Sequence, residues 1–398
     1  MSRLEELIAE LCPDGVEYKK IKEVYTRLKG TPITAEKMKE IDKPNGEIRV
    51  FAGGKTAIKA KEEDIPNANI TKVPAVLVQS RGIIDVVYYD KPFTFKNEMW
   101  AYTANDKTAV KFLYYTLKNN IQKFRDAASG MGSLPQIALP VTEEFVVPVP
   151  PLAVQHEIVR ILDNFTELTA KLTAELIARK KQYEYYRDEL LTFGKDVEWK
   201  TIGEITRIFS ASRVHRNEWT SEGVPFFRSS DVISTFNGVD NSRGRAYISF
   251  ELYEELAAKS GKIHNDDILI TGGGTIGIPY IVPNDDPLYF KDADLLCIQQ
   301  SSQVNSRFLY HYFLSTKFRK YLGNITHDAT IAHYTISQIS TTPIPVPPLV
   351  VQEHIVSLLD RFDILCNDIT TGLPAEIDAR QKQYEYYRDK LLTFKELS

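Results

Sequence analysis

The residue types that could carry chemistry in this chain are few, and their spacing fits none of the common reactions. Gly53–Thr56 reads GGKT, the tail of a phosphate-binding loop. The first glycine of GxxxxGK[ST] would stand at position 49, which is Arg49, so the turn that opens the phosphate cradle is missing. TGGGTIG at Thr271–Gly277 lies between two candidate strands and opens no helix, so it fails the dinucleotide fingerprint. A glycine-rich hairpin that lets backbone approach a ligand closely accounts for it better. His311, His327 and His333 do not form HExxH, and no CxxC occurs, so no metal site is expected. There is no G-x-S-x-G for a serine nucleophile. There is also no N/D-P-P-Y tetrapeptide of the kind amino-methyltransferases place at a target base; both proline clusters read P-V-P-P-L. The expectation is a chain with no catalytic residue, no metal and no cofactor of its own.

The elements that must position any binding residues are announced by a repeat. KQYEYYRD stands at Lys181–Asp188 and again at Lys382–Asp389. Around it, PVPPLAVQHEIVRILDNF (Pro148–Phe165) matches PVPPLVVQEHIVSLLDRF (Pro345–Phe362), and GVEYKKIKEV (Gly15–Val24) matches DVEWKTIGEI (Asp196–Ile205). Each half thus reads V-E-aromatic-K, a long variable body, PVPPL, then a helix ending in KQYEYYRD. The bodies keep only faint echoes, such as KFLYY (Lys111–Tyr115) against RFLYH (Arg307–His311). Similar frames holding divergent bodies imply one structural job done twice with two different surfaces presented.

The frames are helical. Apolar residues recur at Ile158, Ile161, Phe165, Leu168, Leu172, Leu176, Tyr183, Tyr186, Leu190 and Phe193, largely the 3-4 spacing of a coiled-coil seam. From Gln155 to Phe193 such a helix extends roughly 58 Å. The second copy is interrupted by GLP at Gly372–Pro374, a helix stop followed by a restart. The natural partner of each frame helix is the other, paired antiparallel; a coiled-coil homodimer is the plainer alternative.

The bodies carry strand signals. AVLVQ (Ala75–Gln79), DVVYY (Asp85–Tyr89), DILIT (Asp267–Thr271) and PYIVP (Pro279–Pro283) are short β-branched or aromatic runs between turn residues. Between Lys200 and Arg245, seven Lys/Arg stand against five Asp/Glu, a pattern that fits either a solvated surface or a nucleic-acid contact.

A chain of 398 residues suits two or three domains, and 43% hydrophobic content indicates folded material. A net charge of −4 gives no global basic excess, so a nucleic-acid partner must be met by local patches. Cys12, Cys297 and Cys366 are too scattered for metal ligation and read as thiols in a reducing compartment. The N-terminus MSRLEELIAE is acidic where a signal peptide is basic. No apolar run approaches 18 residues. No membrane contact and a cytoplasmic location are expected.

The doubled order V-E-[YW]-K, variable body, P-V-P-P-L-x-x-Q, L-D-x-F, A-R-x-K-Q-Y-E-Y-Y-R-D-x-L-L-T-F resembles the specificity (S) subunit of type I restriction-modification systems over essentially the whole chain. TELTAKLTAEL at Thr166–Leu176 also resembles the spacer helix of one branch of that family. The resemblance implies an α+β fold. Two mixed α/β target recognition domains (1–147 and 195–344) are separated by two conserved helices (148–194 and 345–398) that pair as an antiparallel coiled coil, a pseudo-twofold internal repeat. It implies that each body reads one half of a bipartite, asymmetric site in double-stranded DNA and that the helices set the distance between half-sites. It also implies docking of methyltransferase (M) subunits, two of them, and through the complex of restriction (R) subunits. S-adenosylmethionine and ATP would belong to those partners. LEELIAELCPDGVEY (Leu4–Tyr18) partly resembles DELLTFGKDVEW (Asp188–Trp199), as a circular closure of the chain would require.

The resemblance carries no base-reading motif, so the DNA candidates come from residue type. In the first body they are Lys55, Lys59, Arg81, Lys96 and the loop Ser129–Gln136, with Ser129, Ser133 and Gln136 foremost. In the second they are Arg213, Arg216, Arg228, Arg243, Arg245, Thr275, His327 and His333. Arg and Lys neutralise phosphates, while Arg to guanine and Gln to adenine make bidentate base contacts. Expected partner-docking residues are Tyr183, Tyr185, Tyr186, Arg187, Tyr384, Tyr386, Tyr387 and Arg388, the tyrosines dividing between the seam and an outer face. Two other readings stay open: a coiled-coil scaffold without DNA, and an enzyme that uses GGKT or the glycine-rich hairpin on a nucleotide.

Overall fold

AVLVQ leaves no polar face, so a strand made of it must be covered on both sides. The computed structural model, which describes residues 3–54, 56–129, 134–239, 244–326 and 333–397, shows what covers it. The chain divides into two units, Met1–Ala170 with Ala379–Ser398, and Lys171–Asp378.

Unit 1 opens with α1 (Arg3–Leu11), β1 (Glu17–Lys20), α2 (Ile21–Val24), β2 (Thr26–Leu28) and α3 (Ala35–Glu40). Strands β3 (Ile48–Phe51), β4 (Ala57–Ala60), β5 (Ala75–Gln79), β6 (Asp85–Tyr89), β7 (Phe93–Phe95) and β8 (Trp100–Thr103) follow. Then come α4 (Lys107–Asn119), α5 (Ile121–Asp126), α6 (Pro140–Glu143), β9 (Val146–Val149) and the long α7 (Leu152–Leu190). One sheet has the order β2-β8-β5-β6 and a second β4-β3-β7, with β3 and β7 parallel. Ala75 and Leu77 of β5 share a core with Phe51, Phe93 and Phe95 of the second sheet. The intervening Val76 and Val78 share another with Val110, Leu113 and Leu117 of α4. Period-two alternation thus serves two apolar faces.

Unit 2 contains β10 (Trp199–Thr201), α8 (Ile202–Ile205), β11 (Ile208–Phe209), β12 (Val224–Phe227), α9 (Ser229–Phe236), β13 (Ala246–Ile248) and α10 (Phe250–Ser260). It continues with β14 (Ile268–Thr271), β15 (Pro279–Ile281), β16 (Tyr289–Phe290), β17 (Leu295–Ile298), α11 (Ser306–Leu314), α12 (Thr316–Ile325), α13 (Ile336–Ser340), β18 (Pro343–Pro345) and α14 (Leu349–Asn367). Its sheets run β11-β17-β14-β15 and β13-β12-β16, with β12 and β16 parallel. Strand for strand, this is the order of unit 1. One topology lies beneath two divergent sequences.

The shared motifs close each body. The V-E-aromatic-K stretches pair with the proline stretches, β1 with β9 (Tyr18 opposite Pro148) and β10 with β18 (Trp199 opposite Pro345). In P-V-P-P-L-x-x-Q the glutamine folds back. Buried Gln155 donates Nε2 to the Pro150 carbonyl at 2.7 Å, and Gln352 does the same to Pro347 at 2.7 Å. The turn into each frame helix is thereby fixed.

Within unit 1, residues 152–170 of α7 pack against the 379–391 portion of α15 (Leu373–Leu391), with Phe165 against Tyr384 and Tyr387. Within unit 2, residues 171–190 of α7 pack against α14, with Tyr183 and Tyr186 against Phe362. The break expected at Gly372–Pro374 falls between α14 and α15. A Cβ on Gly372 would lie 2.4 Å from the Ile364 carbonyl oxygen, so only glycine fits there. In unit 1 the two ends of the chain meet: Val16 N–H donates to Lys395 O and Leu397 N–H to Val16 O, both at 2.9 Å. Among the described residues no helix is long and apolar enough to cross a membrane.

Candidate nucleic-acid interface

Three segments converge at one edge of the first body: the β5–β6 hairpin, the loop after β7 and the strand-like segment around Gln136. Arg81 bridges to Gln136, and Ile137 N–H donates to Ser80 O at 2.9 Å. Ser80 Oγ donates to Glu98 O at 2.5 Å. Lys96 N–H donates to Phe51 O at the end of β3 at 3.0 Å, and its Nζ lies 3.0 Å from Glu98 Oε1. A groove of about 490 Å³ is lined by Gly53, Gly54, Arg81, Lys96, Glu98 and Leu134, among others. Gly54 has φ +70, and a Cβ there would meet nothing within 4 Å. Gly54 therefore presents bare backbone to open space beside Arg81 and Lys96.

The second body builds the same edge from different residues. Tyr334 N–H donates to Gly272 O at 2.8 Å, Gly272 N–H to Asp294 O at 2.8 Å and Lys291 N–H to Phe227 O at 2.8 Å. Gly273 bridges to His333. Lys291 Nζ lies 2.7 Å from Asp294 Oδ2. These bonds equate Arg81 with Gly273, Gln136 with His333, Lys96 with Lys291, and Glu98 with Asp294. Gly274, at φ +73, again faces open space.

Other candidates lie around these edges or are engaged within the body. Lys59 on β4 and Ser129, whose N–H donates to Gln136 O at 2.8 Å, are exposed. Arg213, Arg216 and hairpin-tip Thr275 are exposed as well. Arg228 is held by buried Asp231, Nε to Oδ2 at 3.0 Å, and donates Nη2 to Gly244 O at 2.9 Å. The Arg245 guanidinium lies 4.7 Å over the Phe227 ring. Lys55, Ser133, Arg243 and His327 lie outside the described residues. Lys291, Glu98 and Asp294 escaped the sequence reading. Their signal was present, since a phenylalanine-lysine pair followed within three residues by an acid precedes the same strand in both halves (FKNE, FKDAD).

Each body is fastened to its frame helix through the aspartate of L-D-x-F. In unit 1, Lys111 Nζ reaches Asp163 Oδ2 at 2.7 Å and Tyr115 OH donates to Oδ1 at 2.6 Å. In unit 2, Arg307 Nη2 reaches Asp360 Oδ1 at 2.5 Å and Asp363 Oδ2 at 3.2 Å, and His311 Nε2 lies 2.8 Å from Asp360 Oδ1. Tyr183 OH closes the chain on His311 Nδ1 at 3.0 Å. Burial pushes the His311 pKa below its ordinary value against the pull of Asp360. Burial also works to raise Asp360, but hydrogen bonds from His311 and Arg307 outweigh it and hold that carboxyl low. A neutral imidazole donating to Asp360 and accepting from Tyr183 satisfies every group.

The doubled octamer presents matched surfaces. Tyr185 and Tyr386 are 63% and 64% exposed, and Tyr186 and Tyr387 are both 39% exposed. Tyr186 stacks on Phe362 at 5.6 Å and Tyr387 on Phe165 at 5.7 Å. Arg187 and Arg388 lie over Tyr183 and Tyr384 at 5.3 and 5.7 Å. Tyr183 corrects one expectation: at 4% exposure, with its ring on Phe362 and its hydroxyl on His311, it has no face left for a partner. Tyr384 is half-buried. Among the described residues no cluster of three or more His, Cys, Asp or Glu is grouped to hold a metal, and Cys12, Cys297 and Cys366 are buried and unpaired.

Comparison with known proteins agrees with this doubled architecture. The chain is 36% identical over 313 residues to a type I restriction enzyme specificity subunit of Haemophilus influenzae, covering 76% of this chain and 77% of that one. It is 35% identical over 304 residues to one of Escherichia coli, covering 73% and 72%. In fold it is similar to the S subunit of a type I restriction-modification system from M. genitalium (TM-score 0.57, 17% identity, 95% of each chain). A chain from a structural study of type I R-M complex assembly and conformational transition is similar at TM-score 0.53 and 15% identity, over 96% of this chain and 98% of that one. The model of the type I restriction modification DNA specificity domain matches twice, at residues 13–179 and 194–379, and the chain belongs to that family.

Proposed function

We propose that this chain is the DNA-recognition subunit of a type I restriction-modification complex, each body reading one half of a bipartite, asymmetric site in double-stranded DNA. The observation that carries this is the pair of equivalent edges. Two bodies of one topology present different side chains, Arg81 and Gln136 against Gly273 and His333, at positions fixed by the same backbone bonds. One scaffold aimed at two sequences requires that pattern. The chain itself is non-catalytic. The duplicated Tyr185–Tyr186 and Tyr386–Tyr387 surfaces suit two copies of one methyltransferase subunit, with restriction subunits joining through the complex. In that assembly the partners supply adenine methylation and ATP-dependent cleavage.

Co-expression with the methyltransferase subunit, followed by sequencing for methylated bases, tests the reading. The expected outcome is one two-part motif with a fixed gap. A motif without a gap, or none from an intact complex, overturns it. The frame helices carry the gap length. One added turn of helix, a TAEL-like tetrapeptide within residues 169–176, lengthens the helix by about 6 Å. It is expected to widen the gap by about one to two base pairs, at about 3.4 Å of axis per pair, and to leave both half-site sequences intact.

A further inference from the structure

We propose that Lys96 and Lys291 are equivalent phosphate anchors, one per body, held in position by Glu98 and Asp294, while the residues that differ between the two edges read bases. The inference rests on the DNA reading above and deepens it. Two half-sites differ in their bases but share a phosphate backbone, and phosphate contacts position a protein without carrying sequence information. What two divergent bodies keep at one place therefore serves the shared part of their targets. The lysine is such a feature. Its N–H is tied to the last residue of the central strand of the three-stranded sheet in both bodies, Phe51 and Phe227. Its ammonium meets a carboxylate at 3.0 Å in one body and 2.7 Å in the other.

The carboxylate shows that the pair itself is what the two bodies retain. The acid follows the lysine by two residues in the first body and by three in the second, where the longer loop carries the shorter acid. Glutamate in a tight loop and aspartate in a longer one reach the same ammonium. Both pairs keep part of their surface in water, with 21% and 32% side-chain exposure for Lys96 and Glu98 and 42% and 35% for Lys291 and Asp294; a fully exposed pair contributes only about 0–1 kcal/mol, and a phosphate oxygen can take the place of the carboxylate. Until then the carboxylate offsets the lysine charge and restrains binding to unrelated DNA. By contrast, Arg81 corresponds to Gly273 and Gln136 to His333, pairs that differ in side-chain size and shape.

The test measures salt dependence and sequence preference of the full chain in complex with its methyltransferase subunits. With a random-sequence duplex as probe, Lys96→Ala and Lys291→Ala should each flatten the slope of log K against log salt by about 0.9. The preference for the mapped methylation site over the random duplex should stay as in wild type, and Lys→Arg at either position should restore the slope. Glu98→Gln and Asp294→Asn should tighten binding to the random duplex. Gln136→Ala and His333→Ala should each alter base preference in one half-site and leave the slope as in wild type. Alanine variants that melt like wild type but keep its slope overturn the anchors, as does a half-site change caused by either lysine. A wild-type complex that binds no DNA overturns the DNA reading itself.

Discussion

The two joints between body and frame perform one task with different chemistry. Asp163 in unit 1 receives a lysine and a phenol, whereas Asp360 in unit 2 receives an arginine and an imidazole that itself accepts from Tyr183. The helix keeps the acid and each body brings its own base and ring donor. Unit 1 uses a tyrosine whose pKa burial drives up, far from neutral pH. Unit 2 uses a histidine whose pKa burial lowers from its ordinary value. Equivalent geometry therefore does not mean equivalent response to pH, and the joints can be told apart by experiment.

The largest expected effect concerns independence of the bodies. Replacing residues 24–147 by the matching body of another family member should replace one half-site completely and leave the other untouched, as read by methylation mapping. Altered bases in both half-sites would break the comparison at its root. Next in size are the joint acids. Asp360→Ala strands His311 and leaves Arg307 to Asp363 alone, and should cost about 3 kcal/mol, against about 2 kcal/mol for Asp163→Ala, where one lysine and one hydroxyl lose their partner. Equal losses in urea unfolding would mean that the additional bonds of unit 2 contribute nothing.

A pH scan sharpens the contrast. The folded pKa of His311 is lowered, so the unfolded chain binds this proton first as pH falls. The stability that neutral His311 provides is present above about pH 6.5 and is lost below it, by at most about 1.4 kcal/mol per pH unit. His311→Gln should remove that dependence, whereas Tyr115→Phe should leave it in place. The smallest effects belong to the octamer surfaces. Tyr185→Ala and Tyr386→Ala should change stability by less than about 0.5 kcal/mol. Each should weaken methyltransferase binding by about 1 kcal/mol, and by the same amount in calorimetric titration if the matched exposures mean matched docking.

How far the sequence discloses this architecture depends on the range of the interactions. AVLVQ and DVVYY coincide with β5 and β6 because each is an apolar run ended by turn residues, a purely local signal. The glycine-rich hairpin after Ile270 and the break near Gly372 are legible for the same reason. The parallel pairings of β3 with β7 and of β12 with β16 are not, since strands of two to four residues meet across 44 positions (Arg49 to Phe93) and 63 positions (Phe226 to Tyr289) with no periodicity to announce them. Helical spacing puts Tyr183 in the seam, but it cannot register His311, 128 residues away, whose bond to the hydroxyl leaves this tyrosine no part in docking. Charge alone pointed to Arg228 and Arg245, but it cannot foretell that Asp231 and Phe227 hold their guanidinium groups. Lys291 stays hidden because residue type alone does not separate it from the chain's other lysines.

The fastening of each body to a frame aspartate also limits inheritance. A body exchanged between two chains of this architecture would be joined within the similar stretches around PVPPL and V-E-aromatic-K. A body that arrives by such an exchange brings its own residues at the positions of Lys111 and Tyr115 but finds an acid already waiting. Because both frames offer an aspartate at that place, KFLYY-type and RFLYH-type bodies are each acceptable in either half. In the first half an RFLYH-type body would lose the pairing of Arg307 with Asp363, since Thr166 stands at that position. A conserved acceptor met by interchangeable donors lets a lineage acquire a new DNA target in one crossover without refitting the helix beneath it.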